Sequence, residues 1–125
     1  MATLRDVMSG NVVTLASDST MCDAAQVMVR GGLGSVVVMQ GRMLIGILSE
    51  RDVLRSAAEE ADLRAAAVEK WMTPDPDTAS PDLDTEEAAG LMLSRGFRHL
   101  PIMENGELVG MVSLRDVLSA RIGQH

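Results

Sequence analysis

Residues 46–52 read Gly-Ile-Leu-Ser-Glu-Arg-Asp, and residues 110–116 read Gly-Met-Val-Ser-Leu-Arg-Asp. In each stretch an apolar segment precedes a serine, and an aspartate follows three residues after that serine. This spacing is the capping-box pattern that begins a helix. Each stretch therefore predicts a corner at which a strand ends and a helix begins. We call residues 46–52 the first corner and residues 110–116 the second corner.

The two corners belong to a repeat that covers most of the chain. A shift of 64 positions, with no gap, places Thr14 on Thr78 and residues 51–54 on residues 115–118. A register held without insertion indicates a duplication. Each half is too short to bury its apolar faces well alone, so we expect the halves to pack on each other.

The expected fold class is α/β, of the α+β kind, with two β-α-β-β-α repeats related by pseudo-twofold symmetry. The first repeat covers residues 1–60 and the second covers residues 61–125. Apolar residues recur at helical spacing from Ser19 to Arg30, and Gly31-Gly32 provides a stop. The elements expected in the first repeat are a short helix at 3–8, a strand at 12–15, a helix at 19–30, strands at 35–39 and 43–48, and a helix from 49 to about 59.

Two local patterns define the second repeat. Asp84 and Glu87 stand at capping-box spacing, and Asn105-Gly106 between two apolar runs predicts a tight β-hairpin. The expected elements are a short helix at 66–72, a weak strand at 77–79, a helix at 85–94, strands at 99–103 and 107–112, and a closing helix from 113 to about 122.

Composition indicates a folded soluble protein, since 46% of the 125 residues are hydrophobic and 23% are charged. No apolar run approaches the roughly 18 residues of a membrane span. The N-terminus lacks the layout of a signal peptide. The lone Cys22 has no partner for an internal disulfide, which agrees with a reducing compartment. We therefore expect a cytoplasmic protein without a membrane segment.

Charge and residue types argue against several function classes. Lysine and arginine number 11 against 18 acidic residues, a net charge of −7, which repels nucleic acid. Trp71 and Phe97 are too few aromatic residues for a single-strand stacking platform. No nucleophile has an evident base, and His99 and His125 have no further histidine or cysteine cluster beside them. We expect no catalytic residue and no metal site.

The corners allow two interpretations. They are helix caps, which alone would account for the serines and aspartates. They also suit a nucleotide, because helix N-termini bind phosphate and an aspartate there accepts hydrogen bonds from ribose hydroxyls. Arg51 and Arg115 supply positive charge beside them. Gly46 and Gly110 lie within strands, where glycine often marks the close approach of another backbone or a ligand.

The chain resembles a tandem pair of cystathionine-β-synthase (CBS) domains, a Bateman module, over residues 3–122. The resemblance implies repeats of β-α-β-β-α order, two clefts that bind adenosine compounds, and a homodimer. Besides the two corners, the motifs that carry it are Asp6-Val7-Met8, Lys70-Trp71-Met72-Thr73-Pro74, Arg98-His99-Leu100-Pro101-Ile102 and Leu108-Val109-Gly110.

The resemblance also implies roles for single residues. Ser49 and Asp52 match the phosphate-side hydroxyl and the ribose-binding aspartate of one cleft, and Ser113 and Asp116 match those of the other. Further positions match the adenine edge (Thr14 and Thr78), the phosphate-facing basic residues (Arg98 and His99) and the lining of the base pocket (Leu100 and Pro101).

We expect a regulatory module without catalytic activity or a required cofactor. The expected ligand is AMP, ADP, ATP or S-adenosylmethionine, held in the clefts between the repeats, and an effector protein would sense the resulting change of conformation. The alternative is a ligand-free dimerisation or protein-docking platform, and a nucleotide hydrolase comes third. Gly34-Ser35 replaces Arg98-His99 in the first repeat, so we expect one functional site and one that is weak or empty.

Overall fold

The computed structural model describes residues 2–122, which form two compact units. The central unit is Val13–Pro76, and the split unit joins the residues up to Val12 with those from Asp77 onward. The α-helices are α1 (Leu4–Val7), α2 (Met21–Gly31), α3 (Glu50–Ala58), α4 (Thr85–Arg95) and α5 (Leu114–Ile122). The short helix expected at 66–72 is a single 3₁₀ turn at Val68–Lys70. The strands are β1 (Thr14–Ala16), β2 (Ser35–Gln40), β3 (Met43–Ser49), β4 (Thr73–Pro74), β5 (His99–Glu104) and β6 (Glu107–Ser113).

The central unit is built on a four-stranded sheet of order β1-β2-β3-β4. Strand β1 runs parallel to β2, with Thr14 beside Val37, and the other two pairings are antiparallel. Helices α2 and α3 contact each other, and the apolar side chains between helices and sheet form the core. The buried members of this core are Met21, Ala24, Met28, Val36, Val38, Leu48 and Val68.

The split unit repeats this plan around the β5-β6 hairpin. An isolated parallel bridge joins Ala79 to Ile102, and an antiparallel one joins Ser9 to Met111. These bridges stand where β1 and β4 stand in the central unit. Its buried core is Leu4, Ala88, Ala89, Met92, Leu100, Ile102, Val112 and Val117. The α+β class and the duplicated order of elements are confirmed.

The expected strand at 77–79 is reduced to the single bridge at Ala79. Pro76 and Pro81 flank this segment, and a proline cannot donate a ladder hydrogen bond. The strand β4 was not predicted from the sequence. It is only two residues long, and both residues are exposed, so it shows no alternation of apolar and polar positions.

The first residues of each sequence repeat, which we call its opening segment, form hydrogen bonds with elements of the other repeat. The Leu4 amide donates to the Leu83 carbonyl at 2.9 Å, and the Ser9 amide donates to the Met111 carbonyl at 2.9 Å. In the central unit, the Val68 amide donates to the Ser19 carbonyl at 2.8 Å. The compact units therefore differ in their bounds from residues 1–60 and 61–125, which stay a prediction about the extent of the sequence repeats.

Ion pairs also connect α1 to the rest of the split unit. The Arg5 guanidinium donates to Glu104 Oε2 at 2.5 Å and to Asp82 Oδ1 at 3.4 Å. The hydrogen bond and charge of Glu104, with a further contribution from Asp82, raise the pKa of Arg5. This pairing adds an electrostatic contact to the apolar burial of Leu4.

Turns and helix ends follow the sequence closely. Gly32, at φ 62°, ends α2 in the left-handed conformation. Asn105 and Gly106 have φ angles of 53° and 78°, as a two-residue hairpin turn requires. The expected capping box at Asp84 is wrong in its detail. Asp84 Oδ1 accepts from the Glu86 amide at 2.7 Å, so the cap is made at the second helical residue without Glu87.

Among the described residues, no helix combines the length and the apolar character that crossing a bilayer requires.

Candidate functional site

Each corner lies where the second strand of a bulged hairpin ends and a helix begins. Gly46 pairs with Val38 and Gly110 pairs with Ile102, and in both hairpins the register shifts immediately after this pair. Both repeats therefore contain a β-bulge at the same position, and both corners follow strands of the same geometry.

Methionine side chains occupy the space that the two glycines leave. A Cβ on Gly46 would overlap the side chain of Met72. A Cβ on Gly110 would lie 2.5 Å from Met8 Sδ and 3.1 Å from the Ser9 carbonyl oxygen. The expected close approach to both glycines is confirmed, and the approaching atoms belong to the protein itself. Both glycines thus seat the opening segments against the hairpins.

The first corner is a fully formed capping box. The amide and the hydroxyl of Ser49 donate to Asp52 Oδ2 at 2.8 and 3.1 Å, and the Asp52 amide donates to Ser49 Oγ at 3.3 Å. The Asp52 side chain is 15% exposed. The capping interpretation is therefore correct for this corner.

Arg55 closes the first corner from the helix side. Its Nη2 donates to Asp52 Oδ1 at 3.3 Å and to the Trp71 carbonyl at 3.2 Å. Its guanidinium also stacks over the Trp71 ring, 5.1 Å from the ring centre. Both oxygens of Asp52 thus have protein partners. Trp71 packs against the core of the central unit.

The second corner is more open. The Asp116 amide donates to Ser113 Oγ at 3.1 Å, and the Ser113 amide donates to Asp116 Oδ2 at 3.4 Å. Asp116 is exposed, and its Oδ1 has no partner among the described side chains. This carboxylate oxygen is therefore available for a new hydrogen bond.

Both corners present one unused amide. The first helical amide is taken in each case, since Glu50 donates to the Gly34 carbonyl at 3.0 Å and Leu114 donates to the Arg98 carbonyl at 2.7 Å. The next amides, of Arg51 and Arg115, make no hydrogen bond within the described part of the chain. Such amides at a helix N-terminus attract anions.

Basic side chains are distributed unequally around the corners. Arg51 and Arg115 are exposed, and neither forms an ion pair with a described residue. The second corner adds the exposed Arg98 and the half-buried His99, which pairs with Ser113 across the strands. The positions matching Arg98 and His99 in the first repeat are Gly34 and Ser35, which carry no charge. The expected difference between the corners is thus present in their surroundings.

The remaining predicted positions lie at the opening strands and in the core. Thr14 is exposed in β1, and Thr78 is exposed next to the bridge at Ala79. Leu100 and Pro101 are buried, and Leu100 belongs to the core of the split unit. Their expected contact with a base stays a prediction.

Within residues 2–122, no group of histidine, cysteine, aspartate or glutamate side chains is arranged to hold a metal ion. His125 lies outside the described residues.

Two features of the central unit were not found from the sequence. One is the Arg55 contact with Asp52 and Trp71. Its signal is a departure from the repeat, because the 64-position shift places Ser119 and Val7 at the equivalent places. The other is an apolar groove of about 600 Å³ between α2 and α3. The groove is lined by Ala25, Met28, Val29, Gly32, Leu33, Gly34, Glu50, Val53 and Leu54.

Sequence comparison finds one family in both halves of the chain. The CBS domain model matches residues 4–59 and 66–123. A 17.7 kDa protein of Acidianus ambivalens is 38% identical over all of this chain and 77% of its own length. The CBS domain-containing protein YhcV of Bacillus subtilis is 31% identical over 94% of this chain and 84% of its own length.

Solved structures share the fold across nearly the whole chain. CBSX2, crystallised in complex with AMP, is 25% identical with a TM-score of 0.85, covering 99% of this chain and 98% of that one. The hexameric CBS-CP12 protein from bloom-forming cyanobacteria is 27% identical with a TM-score of 0.88, covering 95% and 72%.

The CBS domain pair of protein MJ0100 was crystallised with 5′-methylthioadenosine and S-adenosyl-L-methionine. It has a TM-score of 0.89 at 20% identity, covers 100% of this chain and 99% of that one, and shows similarity of fold alone. The family model matches both repeats and the fold agrees throughout, so the chain belongs to the CBS domain family as a tandem pair of CBS domains.

Proposed function

We propose that the protein is a regulatory module that binds an adenosine-containing ligand at its corners. The observation that carries this proposal is the second corner, where Asp116 Oδ1 and the neighbouring Arg115 amide both lack a hydrogen-bond partner among the described residues. A nucleotide suits this pair of groups, because a carboxylate accepts hydrogen bonds from the ribose hydroxyls and a backbone amide donates one to the phosphate.

The side chains around this corner suit the same ligand. Arg115 and Arg98 are exposed cations without an ion-pair partner among the described residues, in a chain of net charge −7. Such cations offset the repulsion that an acidic protein exerts on a phosphate. Ser113 and His99 complete the phosphate side of the proposed site. Thr78 and Pro101 are assigned to the adenine side on the family resemblance.

The choice of ligand class rests on chemistry shared with related proteins. AMP, ADP, ATP and S-adenosylmethionine all carry adenosine, and two structures of the same fold contain adenosine compounds. The pattern of corner residues suits the ribose, which all four ligands share, and the 5′ phosphate, which AMP, ADP and ATP carry. We propose AMP as the first ligand to test, because it is the smallest of the four that carries a phosphate.

The proposed role is regulation and not catalysis. The hydroxyls of Ser49 and Ser113 serve as helix caps, which accounts for both serines without a catalytic role. Binding would shift a conformational equilibrium by its differential affinity for two arrangements. An effector protein would sense this shift. We place the module in the cytoplasm, where the unpaired Cys22 stays reduced.

We also propose that the module forms a homodimer through its exposed helix faces. Val29 on α2 is 82% exposed, and Leu93, its equivalent on α4, is 59% exposed. Leu54 beside the groove is 71% exposed. An apolar residue left exposed at the same helix position in both repeats fits a partner with the same repeated surface, which is a second copy of this chain.

A thermal-shift panel with AMP, ADP, ATP and S-adenosylmethionine tests the ligand proposal. A ligand at about 100 times its dissociation constant adds about 2.7 kcal/mol to the free energy of unfolding. The variant Asp116→Asn keeps an oxygen for the helix cap and removes the charge, so it should lose most of the shift. A silent panel on a dimeric protein favours the docking platform, and release of a hydrolysis product favours an enzyme.

A further inference from the structure

We propose that Arg55 is a specificity-determining residue that reserves Asp52 for structure and directs the ligand to the second corner. This inference rests on the function proposed above. We infer that the contacts of Arg55 cause the first corner to bind the ligand more weakly than the second. Substitution of Arg55 should therefore reduce the difference.

Arg55 engages the carboxylate that ribose would need. Nη2 donates to Asp52 Oδ1 at 3.3 Å, and Ser49 donates to Oδ2 through both its amide and its hydroxyl. A ribose hydroxyl that binds Asp52 shares Oδ1 with Arg55 or Oδ2 with the helix cap, because each carboxylate oxygen can accept more than one hydrogen bond. An oxygen that already accepts from a cation is a weaker acceptor for a further donor, so a ligand gains less at this carboxylate than at one whose Oδ1 has no such partner.

Arg55 is itself held in place. Its Nη2 also donates to the Trp71 carbonyl at 3.2 Å, and its guanidinium stacks on the Trp71 ring at 5.1 Å. A planar guanidinium suits this combination of stacking and hydrogen bonding, which a lysine cannot reproduce. The side chain is 52% exposed, so the ion pair alone is weak, and the stacking contact keeps the guanidinium near Asp52.

Within the described part of the chain, the second corner has neither contact. The repeat places Ser119 at the position of Arg55 and Val7 at the position of Trp71. Ser119 is exposed and has no cation to offer Asp116, and Val7 packs into the core of the split unit. A serine and an aspartate cap both helices, and the difference at the Oδ1 atoms of the two aspartates comes from these two changes of residue.

Titration calorimetry with AMP tests the inference on five forms: the wild type, Arg55→Ser, Ser119→Arg, Asp116→Asn and Arg55→Ser/Asp116→Asn. We expect the wild type to show one strong site. Arg55→Ser should strengthen the weak site by up to about fivefold, the factor that about 1 kcal/mol represents, which is the upper end for an exposed ion pair. Ser119→Arg creates an ion pair at the spacing of Asp52 and Arg55, and it should weaken the strong site by about twofold.

The form Arg55→Ser/Asp116→Asn identifies which corner gained affinity. It should bind AMP through Asp52, whereas Asp116→Asn alone should bind poorly. If the wild type binds AMP and Arg55→Ser binds no better or more weakly, the inference about Arg55 is overturned and the proposed function stands. Absence of AMP binding in every form overturns both. If Arg55→Ser fails to fold, Ser119→Arg decides alone, and unchanged affinity there contradicts the inference.

Discussion

Gly110 offers a sharp test of how the opening segment seats on the split unit. In Gly110→Ala the new Cβ would lie 2.5 Å from Met8 Sδ, 3.0 Å from Met8 Cγ and 3.1 Å from the Ser9 carbonyl oxygen. Met8 packs against the core of the split unit, so its side chain can move only at a cost, and the third contact involves the backbone of a paired segment. Overpacking of this kind costs about 1–3 kcal/mol.

Gly90 provides the matched control. It is an exposed glycine within α4, and a Cβ there would meet nothing within 4 Å. Because alanine is the better helix former, Gly90→Ala should raise the free energy of unfolding by about 0.5–1 kcal/mol. The same chemical change should therefore have opposite signs at the two positions.

Urea unfolding followed by circular dichroism measures both effects, and a double-mutant cycle with Met8→Ala apportions the cost at Gly110. In the Met8→Ala background, Gly110→Ala should cost less than about 1 kcal/mol, since the sulfur and Cγ are gone. If Gly110→Ala is as stable as Gly90→Ala, or if its cost is unchanged without the Met8 side chain, the described packing of residues 3–9 is wrong.

Two further predictions concern a helix cap and the proposed dimer. Thr20→Ala should lower the free energy of unfolding by about 1 kcal/mol in the same urea assay, because Thr20 Oγ1 accepts from the Asp23 amide at 3.1 Å; an unchanged stability would remove the cap from the account. Val29→Glu/Leu93→Glu should convert a dimer to a monomer in sedimentation velocity, whereas Met43→Glu, 69% exposed on a hairpin, should not. A monomeric wild type, or a dimer unaffected by the double substitution, rules out the proposed interface; a different partner protein would then be the occupant to seek.

Most of the local structure could be predicted from the sequence because short-range signals determine it. Serine and aspartate spacing placed both corners within a residue, and Asn105-Gly106 specified the hairpin turn through its left-handed backbone. The duplication then carried each element from one repeat to the other. These features depend on residues that are close together in the chain.

Long-range packing could not be predicted in the same way. Periodicity shows which faces are apolar and leaves open which partner covers them, so the exchange of the opening segments was not visible. The contact between Arg55 and Trp71 spans 16 residues and depends on the turn between them, where Glu60 has a φ of 62°. The short strand β4 forms because β3 offers a free edge to residues that have no strand pattern of their own.

The most direct test of the central claim is a titration of isotope-labelled protein with AMP, followed by NMR of the backbone amides. We predict that the Arg115 and Asp116 amides shift first, with smaller changes at Arg51 and Asp52, because Asp116 Oδ1 has no partner among the described residues and Asp52 Oδ1 is held by Arg55. Saturating AMP that leaves the amides of both corners unmoved would contradict the account.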